Sequence, residues 1–436
     1  MASNTSNFIL RKFLSASALV FGLGVLAKVV GLFREIVVAD AFGLSPNLDL
    51  FYLALLVPLY LLNTLINPLG SSVVPVLNQL KLNDKNEAVT FTNSVLTWLL
   101  FGLCFIAVVL PLCSDLIARI LSVSTSDYEK FNQFTWIFGA LIVLQGLGSY
   151  VLIQLESEKI FGLSSLQAFL SSGGVIAFLW FESSITSMAN GLLVGALFFL
   201  GISLAILYFK TDIRLGISLK LDTIHKPFRQ QYALLFASSL MMGSTFVVDQ
   251  GMASFIGPTN VSAVNYGFRV VSLFTGMGAL ALGSVALPYF SELAAIGQKD
   301  ELRKLVRQIL GITFLSSGLI IAGIFFFGDF IVSMLFERGS FSNQNVEIVA
   351  SIFKWYSVQL PFYIGGIVLV RLIASFKNSR PVLWISFGNL LLNIICNIIF
   401  VKWWGVVGIA ISTSCVYIFS FVLLWRQSTK ILSSNV

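Results

Sequence analysis

The hydrophobic positions of this chain fall in long runs, and the polar positions gather in short connections between them. The runs lie near 15–39, 49–77, 90–112, 132–154, 160–181, 187–209, 230–256, 264–290, 308–334, 346–375, 382–402 and 405–426. A helix crosses hydrocarbon about 30 Å thick with about 20 apolar residues. The pattern therefore predicts an all-α integral membrane fold of twelve spans. Gly and Pro inside several runs are compatible with this, because neighbouring helices satisfy the freed backbone groups. The first run is too long for the apolar core of a signal peptide and continues into a polar-studded helix, so it reads as the first span.

Composition strengthens the reading. Of 436 residues, 57% are hydrophobic and 11% charged, where a soluble domain carries about 25% charged residues. Mean hydropathy is +0.91. The net charge of +7 has no basic tail or Arg-rich arm behind it, which points to cations in inner loops and away from nucleic acid. The four cysteines, Cys104, Cys113, Cys396 and Cys415, lie in or beside apolar runs. They have neither metal nor disulfide spacing and read as small buried hydrophobes.

Orientation follows from the 27 Lys and Arg residues. With the N-terminus inside, the outer loops hold only Arg119, Lys130, Arg338 and Lys402, and Lys28, Arg34, Arg269, Lys354 and Arg371 fall within or at the ends of spans. The rest lie in inner segments, which predicts cytoplasmic termini. The longest inner connection, 210–229, divides the chain into six-span lobes, 1–209 and 230–436. GSSVVP at Gly70–Pro75 and GSVALP at Gly283–Pro288 form a weak repeat. Six spans per half place the halves in the same orientation, a common transporter plan. One chain holding both halves needs no partner copy, and a monomer is expected.

A charge at the bilayer centre costs at least about 2.5–3.5 kcal/mol. The stretch KVVGLFREIVVADAFG, Lys28 to Gly43, carries Lys28, Arg34 and Glu35 within the expected first span. Gly24, Lys28, Gly31 and Glu35 share one helical stripe, with Arg34 beside it and Val, Leu and Ile opposite. Either these charges pair among themselves while Arg34 reaches for the surface, or Lys28 and Arg34 hold an anionic substrate; Arg suits phosphate because its planar fork binds two oxygens. Arg269, early in the eighth span, favours the second reading and a shared basic cavity. Asp249 in the seventh span either pairs with Arg269 or another cation, or binds Na⁺ or carries a proton. Asn389, Asn393 and Asn397 recur every four residues in the eleventh span. They serve as interhelical hydrogen bonders or, with Asp249 and Thr413, as oxygen donors for a hard cation.

Enzyme signatures are missing. The single histidine, His225, lies in the inner connection, and no HExxH, GxSxG or P-loop is present, so neither catalysis nor direct nucleotide use is expected.

GLFREIVVADAFGLSPNLDLFYLALLVP (Gly31–Pro58), NYGFRVVSLFTGMGALALGSVALPYFSELAA, LFERGSFS (Leu335–Ser342), VRLIASFKNSRPV and GVVGIAISTS occur in order. Together they resemble the MurJ/MviN lipid II flippase family, over about residues 15–427. The resemblance implies the fold of the multidrug/oligosaccharidyl-lipid/polysaccharide exporter superfamily, two six-helix lobes around a central cavity. It implies a bacterial inner-membrane flippase that moves an undecaprenyl-diphosphate-linked glycan by alternating access. By motif position, Lys28, Arg34 and Arg269 correspond to the cavity cations. Asp49 matches an acid at the start of the second span, and Asp49 and Glu35 join the substrate-binding set. Asp249, Asn393, Asn397 and Thr413 fall near positions that resemble a sodium site, so Na⁺ or H⁺ is the expected coupling ion and no other cofactor is expected.

The sequence also departs from the family. LYLLNTLINPLGSS places Leu62, Asn63 and Asn67 where charged residues are usual, Lys28 replaces an Arg, and twelve spans stand where typical members have fourteen. Lipid II and a related polysaccharide repeat unit are therefore both expected substrates. A cation-coupled drug exporter of the same superfamily and a non-transporting scaffold for envelope synthesis are the alternatives; a cationic drug would want an acidic or aromatic cavity.

Overall fold

The computed structural model describes residues 2–158, 160, 162–211, 213–220, 226–283, 290, 293, 296, 298–376 and 380–433, with side chains at 2–21, 82–83, 226–227, 279–283 and 380 outside the description. The helices are α1 (Ala2–Phe42), α2 (Pro46–Asn83), α3 (Lys85–Leu112), the short α4 (Ser114–Ile120), α5 (Tyr128–Ser157), α6 (Leu163–Phe181) and α7 (Ile185–Lys210). They continue with α8 (Lys226–Ile256), α9 (Asn260–Gly283), α10 (Lys299–Phe336), α11 (Asn343–Ser357), α12 (Leu360–Ser375), α13 (Arg380–Trp404) and α14 (Val407–Ser433). Among the described residues no strand occurs.

Ten segments of the described residues are long and apolar enough to cross a membrane, and α1 and α9 occupy the places of the first and eighth expected spans. The chain is a multi-pass membrane protein. Its outward faces are apolar, as lipid requires: Phe326 is 83% exposed, and Phe105, Phe198 and Phe330 are exposed as well.

The tenth expected span, 346–375, lies within the membrane-length segment Asn343–Ser375, which is built of two helices: α11 stops at Ser357 and α12 starts at Leu360. Pro361 stands in the first turn of α12, where its missing N–H and fixed φ start a helix but would interrupt one. The cysteines are not the small buried residues expected: Cys104 and Cys113 are exposed and Cys396 and Cys415 half-buried, since a thiol suits an apolar surround as well as a core.

The chain forms two compact units. The first comprises Met1–Val37 and Leu50–Ser239, the second Val38–Asp49 and Leu240–Val436. This differs from a simple cut at the inner connection, and the hydrogen bonds say why. In the first unit the connection lies along α3: Gly216 N donates to Asn93 Oδ1 at 2.9 Å, and Ser218 N to Thr97 Oγ1 at 3.0 Å. The start of α8 belongs there too. Tyr232 Oη donates to Leu65 O at 3.1 Å, and the Phe228 ring packs edge-on against Phe91 at 5.5 Å.

In the second unit the α1–α2 corner is tied down by its backbone. Ser340 N donates to Asp40 O at 2.9 Å, and Ser340 Oγ to Ala41 O at 3.1 Å. The repeat segment GSVALP lies mostly outside the described residues.

The first unit's core runs along Leu69, Val73 and Leu77 of α2, Phe91 and Val95 of α3, and Tyr150 of α5; Tyr150 Oη, fully buried, donates to Thr92 O at 2.7 Å. The α6–α7 pair packs backbone to backbone. A Cβ on Gly191 would sit 2.6 Å from Gly174 O, so only glycine permits this approach, as at small-residue crossings in membranes. The second unit's core joins Val306 and Leu310 of α10, Leu369 and Leu372 of α12, and Leu424 of α14.

Candidate functional site

Within the first unit, α1 presents two faces. Leu26, Val29 and Phe33 are exposed, whereas Lys28 is half-buried and Glu35 buried on the opposite side. The helical stripe expected from spacing is therefore present. Arg34, only 16% exposed, forms an ion pair with the Glu35 carboxylate. Tyr52 of α2 donates to Glu35 Oε2 at 3.5 Å, and Arg34 Nε is buried without a partner. Arg34 thus neutralises its own neighbour and does not reach for the surface. Lys28 makes no ion pair among the described residues. Asn63 and Asn67 of α2 are exposed on one face, one turn apart, while Leu62 is buried; the positions that depart from the family pattern present neutral amides.

Within the second unit, Asp249 of α8 is only 4% exposed. Its Oδ1 accepts from Asn393 Nδ2 at 2.9 Å and from Asn397 Nδ2 at 2.8 Å, both on α13. Its Oδ2 accepts from Thr413 Oγ1 of α14 at 2.8 Å. Three helices thus converge on one carboxylate. The expected pairing of Asp249 with Arg269 is not what forms: all its hydrogen-bond partners are neutral. The Asn stripe divides as well. Asn389 donates to Ser420 Oγ at 3.0 Å and stands outside the cluster, because the α14 side chain it faces is a further two turns along.

Arg269 is half-buried on α9. Asp49, 6% exposed, accepts the Ser262 N–H at 2.7 Å. A carboxylate on a first-turn N–H of α9 satisfies an orphan donor and meets the positive end of the helix dipole. Asp49 therefore positions the helix that carries Arg269, a role its place at the head of α2 did not reveal. Spacing also missed two further polar residues. Tyr52 lies too far along the chain from Glu35 to be paired by pattern. Gln250 receives an Asn265 Nδ2 bond at 2.8 Å across the α8–α9 turn.

The donor set around Asp249 suits one class of ion. Among the described residues no three His, Cys, Asp or Glu side chains form a metal cluster, so a thiolate or imidazole site is not built. Asn397 Oδ1 is buried with no partner, and Thr413 Oγ1 lies 3.0 Å from Ile409 O. Turning the amides about their last bond directs oxygens, not nitrogens, at the carboxylate's position. One carboxylate with amide, hydroxyl and carbonyl oxygens fits a hard cation. As hydrogen-bonded, the same carboxylate rests on three neutral donors with no cation beside it, an arrangement that an ion would complete.

Known proteins are similar to this chain in sequence and in fold. The chain is 27% identical over 419 residues to a probable lipid II flippase MurJ of Thermotoga maritima, covering 93% of this chain and 84% of that one. It is 26% identical over 417 residues to the lipid II flippase MurJ of Burkholderia cenocepacia, covering 90% and 79%. A solved lipid II flippase MurJ in an inward closed conformation superposes with a TM-score of 0.81 at 21% identity, covering 94% of this chain and 87% of that one. An inward-facing multidrug resistance MATE family transporter of the MOP superfamily gives 0.77 at 14% identity, covering 96% and 98%. At such identities the superpositions show the fold, the one expected for that superfamily. The family model described as lipid II flippase MurJ matches residues 38–435, and on that match over most of its length the chain belongs to the lipid II flippase MurJ family.

Proposed function

We propose that this chain flips an undecaprenyl-diphosphate-linked glycan, lipid II or a closely related repeat unit, across the bacterial inner membrane. The observation that carries this reading is Lys28. It is a cation inside a span, on the face opposite the exposed Leu26, Val29 and Phe33, with no ion pair among the described residues. Such a charge is costly in a bilayer, and an anionic substrate compensates it. Arg34, in the same unit as Lys28, serves the same diphosphate by exchanging its Glu35 partner for phosphate oxygens, so linking release of Glu35 to substrate binding. The names of the relatives supply the glycan. Exposed Asn63 and Asn67 supply neutral donors and acceptors, which suit sugar hydroxyls.

The cycle runs by alternating access in a single chain whose termini are cytoplasmic. Direction comes from a cation at Asp249. Na⁺ fits the oxygen set best; a proton is the competing occupant. Either one, moved with the membrane potential, brings about 2.3 kcal/mol per 100 mV per charge. No bond is made or broken, and no enzymatic step is assigned.

The test is complementation in bacteria depleted of their own lipid II flippase. Rescue, lost in Arg34→Ala with normal membrane insertion, supports lipid II as substrate. Failure of the wild-type chain, with the protein confirmed in the membrane, assigns it a polysaccharide repeat unit instead. Full activity of Arg34→Ala would sink the diphosphate role.

A further inference from the structure

A cavity of about 310 Å³ opens at the end of the first unit where α2 and α5 stop and α3 begins. It belongs to neither polar cluster described above. Three cations stand on its rim: Lys81 from the last turn of α2, Lys85 from the first turn of α3, and Arg214 from the connection after α7. One carboxylate, Glu158, faces them and pairs with Lys81. Lys81 Nζ also donates to Ser157 Oγ at 3.2 Å.

The other two cations are differently held. Lys85 is exposed and has no ion pair among the described residues. The neighbouring Asp84 caps α3, accepting from Asn86 N at 2.8 Å. Arg214 is anchored on one side only. Its Nη1 donates to Thr211 O at 2.9 Å and Ile213 O at 3.2 Å, and its guanidinium stacks 4.6 Å over the Tyr208 ring. The remaining N–H groups of its fork make no hydrogen bond among the described residues and are preset in direction. The floor, by contrast, is apolar: Leu77 is buried, Ile213 is half-buried, and Val89 forms a lip 43% exposed.

Cations over an apolar floor, at the end of membrane-spanning helices, are the chemistry of an anionic amphiphile. A free phosphate would gain nothing from Leu77 and Val89, and a neutral lipid nothing from the unpaired Lys85. Basic pockets between spans on an inner face hold lipid head groups, and the volume lies in the range of small-molecule sites. We propose that this pocket binds the phosphate head group of an anionic membrane phospholipid, with Lys85 and Arg214 on the phosphate and its glycerol and first chain carbons over Leu77 and Val89. Because the connection 213–218 closes one wall and is bonded along α3, an occupied pocket fastens that connection. The inference rests on the membrane location alone and stands whatever the protein transports.

Native mass spectrometry of the purified full chain tests it, with phosphatidylglycerol and phosphatidylcholine added in parallel. Retained adducts of phosphatidylglycerol should exceed those of phosphatidylcholine, and Lys85→Glu and Arg214→Gln should each cut them by about fivefold, the equivalent of about 1 kcal/mol per cation at a membrane surface. Lys430→Glu, an exposed cation on another helix, should leave them unchanged. Lys85 is exposed, so its variant keeps the fold and the test does not depend on Arg214→Gln surviving. Equal adducts of both lipids, or adducts indifferent to Lys85→Glu, would overturn the proposal. So would inorganic phosphate protecting the chain from thermal unfolding as well as phosphatidylglycerol does, since the ligand would then be a free anion.

Discussion

Glu35 and Asp249 are both buried carboxylates in membrane-spanning helices, yet they are stabilised in opposite ways. Glu35 has an adjacent guanidinium and a phenol. Asp249 has two amides and a hydroxyl, and no cation. The first cluster is locally neutral; the second keeps a net negative charge in a low-dielectric surround. Burying a charge without a counter-charge is expensive unless hydrogen bonds and an ion complete it. The difference teaches where each cluster stores its capacity to act. At Glu35 a bound anion has to compete for Arg34. At Asp249 a cation has only to reorient neutral groups.

The largest expected effect breaks the first cluster. Arg34→Ala leaves Glu35 buried without its guanidinium, which costs about 3–5 kcal/mol. The double variant Arg34→Ala/Glu35→Ala should recover most of that stability in thermal unfolding while still failing to support growth. A double variant that restores transport would reduce Arg34 to a structural partner.

Next comes the cation. Asp249→Asn should abolish any rise in melting temperature on replacing K⁺ by Na⁺, whereas the wild-type chain should gain about 2.7 kcal/mol at 100-fold excess over its Kd. Wild-type stability that ignores Na⁺ would leave the proton as occupant. Asn397→Ala removes one of the two amide donors to Asp249 Oδ1, and a destabilisation of about 1.5–3 kcal/mol is expected for a lost hydrogen bond to a charged group. Asn389→Ala, on the same helix face but bonded to Ser420, should weaken Na⁺ protection by no measurable amount. An equal loss in both Asn variants would erase the division of the stripe. The smallest effect is Tyr52→Phe, about 0.5–1.5 kcal/mol, read as a small drop in unfolding midpoint with transport retained.

Much of this was legible in sequence because a bilayer imposes one rule on every span: about 20 apolar residues in a helix. Runs of that length locate the helices without knowledge of their neighbours. The two-faced α1 was legible for a similar reason, since residues three and four apart share a helix face whatever packs against it. Pro361 shows where the rule stops, because an unbroken apolar run conceals a helix break.

The partners of the charged residues were not legible. Asp49 read as a ligand by its place at a span start, but it caps α9, more than 200 residues away in sequence. Asp249 has no near neighbour in the chain that predicts Asn393, Asn397 and Thr413 over Arg269. Hydropathy is a property of one residue and its solvent, so the sequence by itself determined where the long apolar segments lie and that they are helical. Hydrogen bonding and charge pairing are properties of two groups brought within about 3 Å. Only the tertiary structure decided which carboxylate is neutralised, which helix end is capped and which cations of the rim remain open to a ligand.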